Sequence, residues 1–335
     1  MKILIIRFSS IGDIVLTTPV VRVAKKHLGA QVHYITKAKY KVLLEENPAI
    51  DKIYTIEKNV DEVIKELKNE NYDYIIDLHN STRSILLKWK LKKPSFTVNK
   101  KNIEKWLMVN FKKKTVIPHI VERYLETLKP LGGKNDGLGL DFYYKTKRNP
   151  LEVFGIKKPY IAVSLGANHF TKRIPVSVLQ KILSDIPEVA IVLTGGNDVS
   201  EDARKLENSL PGQVYNLAGK TTIPQSAAII DSSMALVTGD TGMMHIAAAL
   251  KKPVFLLWGS TVPQFGMYPY YGDTEVFNRQ YGVDDLKCRP CSKIGFSKCP
   301  KGHFDCMMKQ DIRKISSELR SFIEKNINYI DVDEN

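Results

Sequence analysis

A glycine-rich turn followed by a helical pattern makes residues 239–245 a candidate phosphate site. Gly239, Asp240, Thr241 and Gly242 follow an apolar run, and His245 lies one helical turn further on. Glycines allow a sharp turn and leave the free N–H groups at a helix start open to a ligand, and such a helix start attracts phosphate. Asp and Thr are also common helix caps, so an ordinary capped turn with a buried histidine is the alternative.

Two further residues have the chemistry that a transfer reaction needs. Asp13 follows Gly12 in the loop after the first apolar run, where its carboxylate would serve as a general base or as a helix cap. Lys172 follows the first apolar run of the second half and would neutralise a diphosphate; a surface lysine is the alternative. We find no Asp-x-Asp pair in a strand-end loop that would clamp a metal, since Asp331-Val332-Asp333 lies near the end of the chain.

Apolar runs that alternate with helical patterns position these residues. Such alternation indicates a parallel sheet, and an opening strand that leads into a small-residue loop is typical of a doubly wound fold. In the first half we predict strands over 2–6, 31–36, 52–56 and 74–78, helices over 60–70 and from 120 towards 131, and a helix before Leu28 that Pro19 delays or kinks. In the second half we predict strands over 160–165, 190–194, 214–217, 234–237 and 254–258, and helices over 177–183, 201–210, 225–230 and 243–250.

The predicted fold class is α/β, with two Rossmann-like domains facing across a cleft. At 335 residues the chain is long for a single core, so two domains are expected. Glycines between 132 and 139 and a polar stretch up to Pro150 mark the boundary. We predict an N-terminal domain over 1–155, a C-terminal domain over 156–310, and a helix over 311–328 that packs back on the first domain. Ligands are expected where the carboxyl ends of both sheets line the cleft.

The charge of the chain predicts a polyanionic partner. The formal net charge is +14, which suits nucleic acid, an anionic membrane or a phosphorylated substrate. Between Lys88 and Lys114, ten lysines are set against Glu104 alone, and large apolar residues such as Trp89 and Trp106 are interleaved. This mixture is typical of a protein that rests on an anionic bilayer, with a solvated lysine-rich surface as the alternative. No apolar run reaches the ~18 residues of a membrane span, and the start of the chain lacks a signal-peptide layout, so we expect a cytoplasmic protein.

Four cysteines lie with His303 in one loop-rich segment, namely Cys288, Cys291, Cys299 and Cys306. A Cys-x-x-Cys pair followed by two more cysteines would be able to ligate structural zinc, but the second pair is too widely spaced for a standard zinc ribbon. Reduced thiols in an ordinary loop are the alternative. A disulfide is disfavoured by a reducing compartment.

Five sequence motifs, in their order along the chain, resemble those of the ADP-heptose lipopolysaccharide heptosyltransferase family. They run collinearly from the first strand to about Cys306, and their order and spacing are more specific than any one of them. The motifs are Arg7-Phe8-Ser9-Ser10-Ile11-Gly12-Asp13-Ile14-Val15-Leu16-Thr17-Thr18-Pro19, Asp77-Leu78-His79-Asn80, Thr194-Gly195-Gly196 with Glu201, Leu217-Ala218-Gly219-Lys220-Thr221, and Gly239-Asp240-Thr241-Gly242 with His245. The family often has Trp soon after the lysine that corresponds to Lys172, whereas this chain has Arg173-Ile174-Pro175 there.

The resemblance implies a GT-B fold and an inverting sugar transfer that needs no metal and no cofactor. Asp13 would deprotonate the acceptor hydroxyl. Donor-binding residues would be Lys172, Glu201 at the nucleoside end, and Asp240, Thr241, Gly242 and His245 at the diphosphate. The acceptor-side loops would present Ser9, Ser10, Gly12, His79 and Asn80.

The resemblance also implies the partners of the chain. These would be ADP-heptose as donor, the phosphorylated lipid A-core as acceptor, and the anionic cytoplasmic face of the inner membrane. A related enzyme that uses another nucleotide sugar stays an alternative, as does a basic nucleic-acid-binding protein, although the lysines accompany no recognisable nucleic-acid fold. A nicotinamide oxidoreductase is disfavoured because the first turn lacks the Gly-x-Gly-x-x-Gly fingerprint.

Overall fold

The computed structural model describes residues 1–113, 115–157 and 159–330, with the side chains of 328–330 left out. The lysine-rich stretch between Lys88 and Lys114 is called the basic segment below. Its last residue, Lys114, and the Asp331-Val332-Asp333 sequence lie outside the described residues. The chain divides into two compact units. Unit 1 consists of Met1–Asn102, Val116–Lys145 and Gly266–Glu275, and unit 2 consists of the rest of the described chain.

Each unit is built on one parallel sheet. The strands of unit 1 are β1 (Lys2–Ile6), β2 (Gln31–Lys37), β3 (Lys52–Ile56), β4 (Tyr74–Asp77) and β5 (Ser95–Thr97), in the order β3-β2-β1-β4-β5. The strands of unit 2 are β6 (Tyr160–Ser164), β7 (Ala190–Thr194), β8 (Val214–Asn216), β9 (Leu236–Gly239), β10 (Val254–Leu257) and β11 (Asn278–Tyr281), in the order β11-β10-β9-β6-β7-β8. The predicted α/β class with two Rossmann-like sheets is confirmed.

Helices connect these strands. In chain order they are α1 (Ile11–Val15), α2 (Thr18–Lys26), α3 (Ile64–Asn69), α4 (Thr82–Leu91), α5 (Asn102–Phe111), α6 (Ile120–Leu125), α7 (Pro150–Val153), α8 (Val176–Leu183), α9 (Ser200–Ser209), α10 (Ile223–Ser232), α11 (Gly242–Ala249), α12 (Asp305–Met308) and α13 (Ile312–Ile330). Pro19 lies in the first turn of α2, because α1 ends at Val15 and a new helix begins at Thr18. The expected late start at this proline is confirmed, since the missing N–H costs least in a first turn.

Strand order brings the loops of each candidate site together. In unit 1, β1 lies beside β4 with Ile6 opposite Asp77, so residues 7–13 and 78–80 leave the sheet at neighbouring points. In unit 2, β9 lies between β6 and β10, with Thr238 opposite Ser164 and Gly239 opposite Leu257. The residues that follow these three strands therefore meet at one edge of the sheet.

The boundary of the units differs from the predicted division at residue 155. Unit 1 continues to Lys145, and it also includes Gly266–Glu275, while Ile103–Thr115 belongs to unit 2. Backbone hydrogen bonds tie the 266–275 segment into unit 1: Ile120 N donates to Gly266 O at 2.8 Å and Asp273 N donates to Gly137 O at 2.7 Å. A change of composition along the chain does not reveal that a later segment, Gly266–Glu275, belongs to unit 1.

The last helix belongs to unit 2, which corrects the expectation that it packs back on the first domain. Ile315, Leu319 and Ile323 of α13 are fully buried in the core of unit 2, beside residues of β6, β7 and α8. Arg320 Nε also donates to Asp185 O at 2.8 Å, just after α8. The amphipathic pattern correctly indicates a buried face, but burial of apolar surface is non-directional, so the pattern does not select which core receives it. None of the described helices has the length and apolar character that a membrane crossing requires.

Candidate active site

Lys172 and Asp240 form a buried ion pair at the carboxyl edge of the unit 2 sheet. Lys172 closes a short 3₁₀ turn over Phe170–Lys172, and its Nζ lies 2.7 Å from Oδ2 of Asp240, directly after β9. Thr261 Oγ1 donates to the same carboxylate oxygen at 2.8 Å. The side chains of Lys172 and Asp240 are only 18% and 8% exposed. The carboxylate therefore fixes the ammonium group in a partly dehydrated position, where its charge acts strongly on a nearby anion.

The turn that holds Lys172 packs directly on two glycines. A Cβ on Gly239 would lie 2.2 Å from Lys172 O, and a Cβ on Gly259 would lie 2.3 Å from Thr171 O. Any larger residue would collide with backbone oxygen atoms at these positions. Gly239 thus serves close approach of the loop, which is a different role from the sharp turn that the sequence predicted.

The helix α11 begins where the sequence predicts a phosphate site. Thr241 is its N-cap, and its Oγ1 accepts a hydrogen bond from Met244 N at 3.4 Å. Gly242 is the first residue of the helix, and it adds no side chain of its own over the helix start. His245 is buried on the next turn of the same helix. Asp240, Thr241, Gly242 and Lys172 are thus brought together, as predicted.

Glu201 lies on a different part of unit 2. It is the second residue of α9, after β7. Its side chain is 79% exposed, and its Oε1 lies 2.7 Å from Nζ of Lys205. This pairing lowers the pKa of Glu201. Because β7 is separated from β9 by β6 in the sheet, Glu201 does not belong to the cluster around Lys172, and its predicted role at the nucleoside end stays a prediction.

Arg173 directly follows Lys172, close to where the heptosyltransferase family that this sequence resembles often has Trp. Its guanidinium pairs with Asp198 and its Nε donates to Ala167 O at 3.2 Å. The arginine therefore ties the loop after β6 to the loop after β7. An indole ring has one N–H donor and no charge, so it would not form this ion pair together with the second hydrogen bond.

In unit 1, Asp13 lies at the carboxyl edge beside Arg7. Its Oδ1 lies 2.7 Å from Nη2 of Arg7, and its Oδ2 accepts hydrogen bonds from Ser10 Oγ at 2.8 Å and Ser10 N at 3.3 Å. Asp13 is the third residue of α1 and forms a capping box with Ser10. The general-base and helix-cap interpretations of Asp13 are thus compatible. Its carboxylate caps a five-residue helix, yet the side chain is still 24% exposed.

The loop after β4 lies next to this carboxylate. Backbone N–H groups of His79 and Asn80 donate to Asp77 Oδ1 at 3.0 and 2.8 Å, and the His79 ring contacts Phe8 edge-on at 5.1 Å. Burial, together with the nearby charges of Arg7 and Lys100, lowers the pKa of His79 to about 4. A neutral imidazole therefore lines the same edge as Asp13.

Several residues of these clusters were missed by sequence reasoning. Thr261 and Gly259 follow β10 and complete the surroundings of Asp240 and Lys172. Arg289 supports that loop, with its Nε donating to Gly259 O at 2.9 Å. The Gly259-Ser260-Thr261 sequence directly after a predicted strand is a signal that could have been read as a second strand-end loop.

The four cysteines are free thiols in the structure. Burial, with help from neighbouring thiols, raises the pKa of Cys291 to about 11 and that of Cys306 to about 12. The Sγ atom of Cys288 lies 3.9 Å from Nε2 of His303. Within 1–113, 115–157 and 159–330, no group of three or more His, Cys, Asp or Glu is arranged to hold a metal ion.

Solved structures identify the class of fold. A glycosyl transferase family 9 protein from Veillonella parvula DSM 2008 matches with a TM-score of 0.78 at 19% identity, over 97% of both chains. The E. coli ADP-heptose lps heptosyltransferase II matches with a TM-score of 0.71 at 21% identity, over 97% of this chain and 99% of that one. The fold is therefore that of the GT-B glycosyltransferases.

Sequence comparison gives the family. The model for "Glycosyltransferase family 9 (heptosyltransferase)" matches residues 60–295. Lipopolysaccharide heptosyltransferase 3 of Escherichia coli (strain K12) is 30% identical over 285 residues, which is 75% of this chain and 80% of the relative. Lipopolysaccharide heptosyltransferase 1 of Campylobacter coli is 24% identical over 290 residues, 78% of this chain and 84% of the relative. The chain belongs to glycosyltransferase family 9 (heptosyltransferase), and it is an enzyme, as the sequence predicted.

Proposed function

We propose that this enzyme transfers a heptose from ADP-heptose to the phosphorylated inner core of lipopolysaccharide, with inversion and without a metal. The observation that most supports the proposal is the Lys172–Asp240 pair beside the N-terminus of α11, with a separation of 2.7 Å. A fixed cation beside free backbone N–H groups is a suitable site for a nucleoside diphosphate. The names of the relatives, all heptosyltransferases acting on lipopolysaccharide or lipooligosaccharide, support the sugar and the acceptor.

In the proposed reaction, Asp13 accepts the proton of the acceptor hydroxyl while the hydroxyl oxygen forms a bond to the anomeric carbon of the heptose. The bond from that carbon to the diphosphate breaks, and ADP leaves with the electron pair. Lys172 and the first N–H groups of α11 stabilise the negative charge that develops on the leaving diphosphate. A single displacement of this kind inverts the anomeric configuration.

This proposal assigns Asp240 an indirect role. A carboxylate that touched the diphosphate would repel it, whereas its contact with Lys172 Nζ holds the ammonium in place. Thr241 and Gly242 would contact the diphosphate through the helix terminus, with His245 behind them. Glu201 at the nucleoside end, and Ser9, Ser10, Gly12, His79 and Asn80 on the acceptor side, complete the proposed assignment.

The test of the base is Asp13→Asn. The variant keeps the shape of the capping box but accepts no proton, so we expect transfer to fall by at least about 10²-fold, as for loss of a general base, with ADP affinity unchanged. Asp61→Asn, at a side chain 55% exposed on the surface, is the matched control and should keep full activity. Turnover of Asp13→Asn at the wild-type rate would reject the role of base.

We also propose that the basic segment rests on the anionic cytoplasmic face of the inner membrane, where this acceptor would be presented. In unit 1, the α4 face with Ile85, Leu86 and Trp89 is exposed, with Trp89 at 70%. In unit 2, α5 exposes Ile103, Trp106 and Phe111, and the Trp106 and Phe111 rings contact each other at 5.4 Å. Exposed tryptophans among lysines are typical of side chains at a lipid headgroup layer.

Vesicle binding tests this surface. Trp89→Ser and Trp106→Ser should each weaken binding to anionic vesicles. Val153→Ser, at an aliphatic site on α7 that is 50% exposed against 53% for Trp106, should not. Equal binding to purely zwitterionic vesicles would contradict the electrostatic part of the proposal. Competition by random RNA for the same surface would favour the nucleic-acid alternative instead.

A further inference from the structure

Arg7 is a buried cation held by three elements of unit 1. Its Nε donates to Ser9 O at 2.7 Å, and its Nη1 donates to Leu78 O at 2.7 Å and to Tyr124 Oη at 3.0 Å. Only 6% of the residue is exposed. Because the loop after β1, the loop after β4 and helix α6 all contact the guanidinium, its position is set by the fold rather than by Asp13 alone.

We propose that Arg7 is a positioning residue for Asp13: it fixes carboxylate oxygen Oδ1, so that Oδ2 is presented beside Ser10 to the hydroxyl of the acceptor. The separation of Arg7 Nη2 and Asp13 Oδ1 is 2.7 Å, and Ser10 Oγ donates to Oδ2 at 2.8 Å. Arg7 is buried and Ser10 is exposed, so Oδ2 is on the open side. This inference rests on the proposed function, because that function makes Asp13 the base.

The hydroxyl of Ser10 marks the direction from which an acceptor hydroxyl would donate. An incoming hydroxyl must place its proton within hydrogen-bond distance of Oδ2. Because Oδ2 already accepts from Ser10 Oγ and Ser10 N, the hydroxyl would replace the longer of these contacts, the one from Ser10 N at 3.3 Å. The proton then passes to Oδ2 while Oδ1 stays bound to Arg7. The guanidinium gives up no proton in this step, since arginine stays charged in proteins.

The groups around Asp13 make Arg7 the decisive charge. Arg7, Tyr34, His79 and Tyr124 all interact electrostatically with Asp13. Burial raises the pKa of both tyrosines and lowers the pKa of His79 to about 4, so these three groups are neutral near pH 7. Burial by itself would lower the pKa of Arg7, but its pairing with Asp13 raises it. Among these four groups, Arg7 is therefore the charged one, and it contacts Asp13 Oδ1 directly at 2.7 Å.

The experiment measures the pH dependence of kcat/KM for the full chain, with ADP-heptose and a deep-core acceptor. In Arg7→Gln the acid limb should move upward by about 1–3 pH units, the usual influence of an adjacent arginine on a carboxyl. Arg7→Lys keeps the charge, so its acid limb should stay within about 0.5 unit of the wild type, while kcat falls because lysine lacks the fork of donors. Ser10→Ala should move the limb upward by less than about 1 unit, because one hydrogen bond to the carboxylate is lost.

Thermal unfolding and ADP affinity show whether each variant is folded. A folded Arg7→Gln with an unmoved acid limb overturns the inference. Should Arg7→Gln fail to fold, the charge-conserving Arg7→Lys decides, since a folded Arg7→Lys with the wild-type kcat overturns the inference equally. Asp13→Asn distinguishes the two proposals. If Asp13→Asn still catalyses transfer, Asp13 is not the base. If Asp13→Asn is inactive and the acid limb of Arg7→Gln is unmoved, only the positioning role of Arg7 is rejected.

Discussion

Gly239→Ala is the substitution whose effect on the donor site is best defined by the structure. A Cβ at this position would lie 2.2 Å from Lys172 O, where real Cβ atoms come no closer than 3.0 Å. Either the end of β9 or the turn over Phe170–Lys172 must therefore move by about 0.8 Å. Such overpacking costs about 1–3 kcal/mol of the free energy of unfolding, which lowers Tm by about 2–10 °C in a unit of this size.

The same displacement should weaken donor binding. Lys172 Nζ lies 2.7 Å from Asp240 Oδ2, and a shift of this size would stretch the contact to about 3.5 Å, beyond a good hydrogen bond. Misplacement of a positioning group by about 1 Å costs up to 10²-fold in rate, so we expect kcat/KM to fall at least about tenfold. Calorimetry with ADP, steady-state kinetics and thermal unfolding measure the three effects.

Gly166→Ala is the matched control for stability. Gly166 also follows a central strand of unit 2, but the nearest atom to its Cβ would be Gly195 Cα at 3.7 Å, an ordinary contact. Alanine there should leave Tm unchanged or raise it slightly, because it restricts the unfolded chain. If Gly239→Ala unfolds at the wild-type temperature and binds ADP with wild-type affinity, the close-approach argument is wrong.

Three further predictions follow from single side chains. Lys172→Met should weaken ADP binding by about 10–100-fold, and it should also destabilise the fold by about 1–3 kcal/mol because Asp240 loses its buried partner; unchanged ADP affinity in calorimetry would refute this. The pKa of His79 is lowered to about 4, so between that pH and the usual value near 6.5 the unfolded chain binds a proton that the folded chain does not. Stability should therefore fall as pH falls through this range, by at most about 3 kcal/mol, and denaturation of His79→Phe at several pH values should show a shallower slope. Leu319→Ala, at a fully buried site, should cost about 2–5 kcal/mol, whereas exposed Glu324→Ala should leave denaturant stability within about 0.5 kcal/mol.

All strands of both sheets could be predicted from the sequence except two edge strands, β5 and β11. The apolar runs of β1, β3 and β7 define their ends as the structure has them. β5 has three residues, and β11, with the sequence Asn-Arg-Gln-Tyr, is half exposed. These two edge strands bury little, so they lack the continuous apolar run that identifies a strand of a parallel sheet.

The candidate site could be predicted in its members but only partly in its contacts. Asp13, Lys172 and Asp240 all lie at strand ends, as the motifs indicated, because parallel strands direct their following loops to one edge. The pairing of Lys172 with Asp240 joins loops that are far apart in the chain. No local pattern predicts that the carboxylate of Asp240 pairs with Lys172.

The sequence by itself determined the two α/β halves, the late start of α2 at Pro19, and the glycine-rich helix start at Gly242, because apolar periodicity and turn chemistry are local properties of the chain. The tertiary structure alone decided that α13 packs in unit 2, that Gly266–Glu275 belongs to unit 1, and that Arg7 meets Asp13 and Leu78. These outcomes depend on strand order and on which buried surfaces meet. Both are settled by contacts between distant segments, and such contacts leave no periodic signal in the segments themselves.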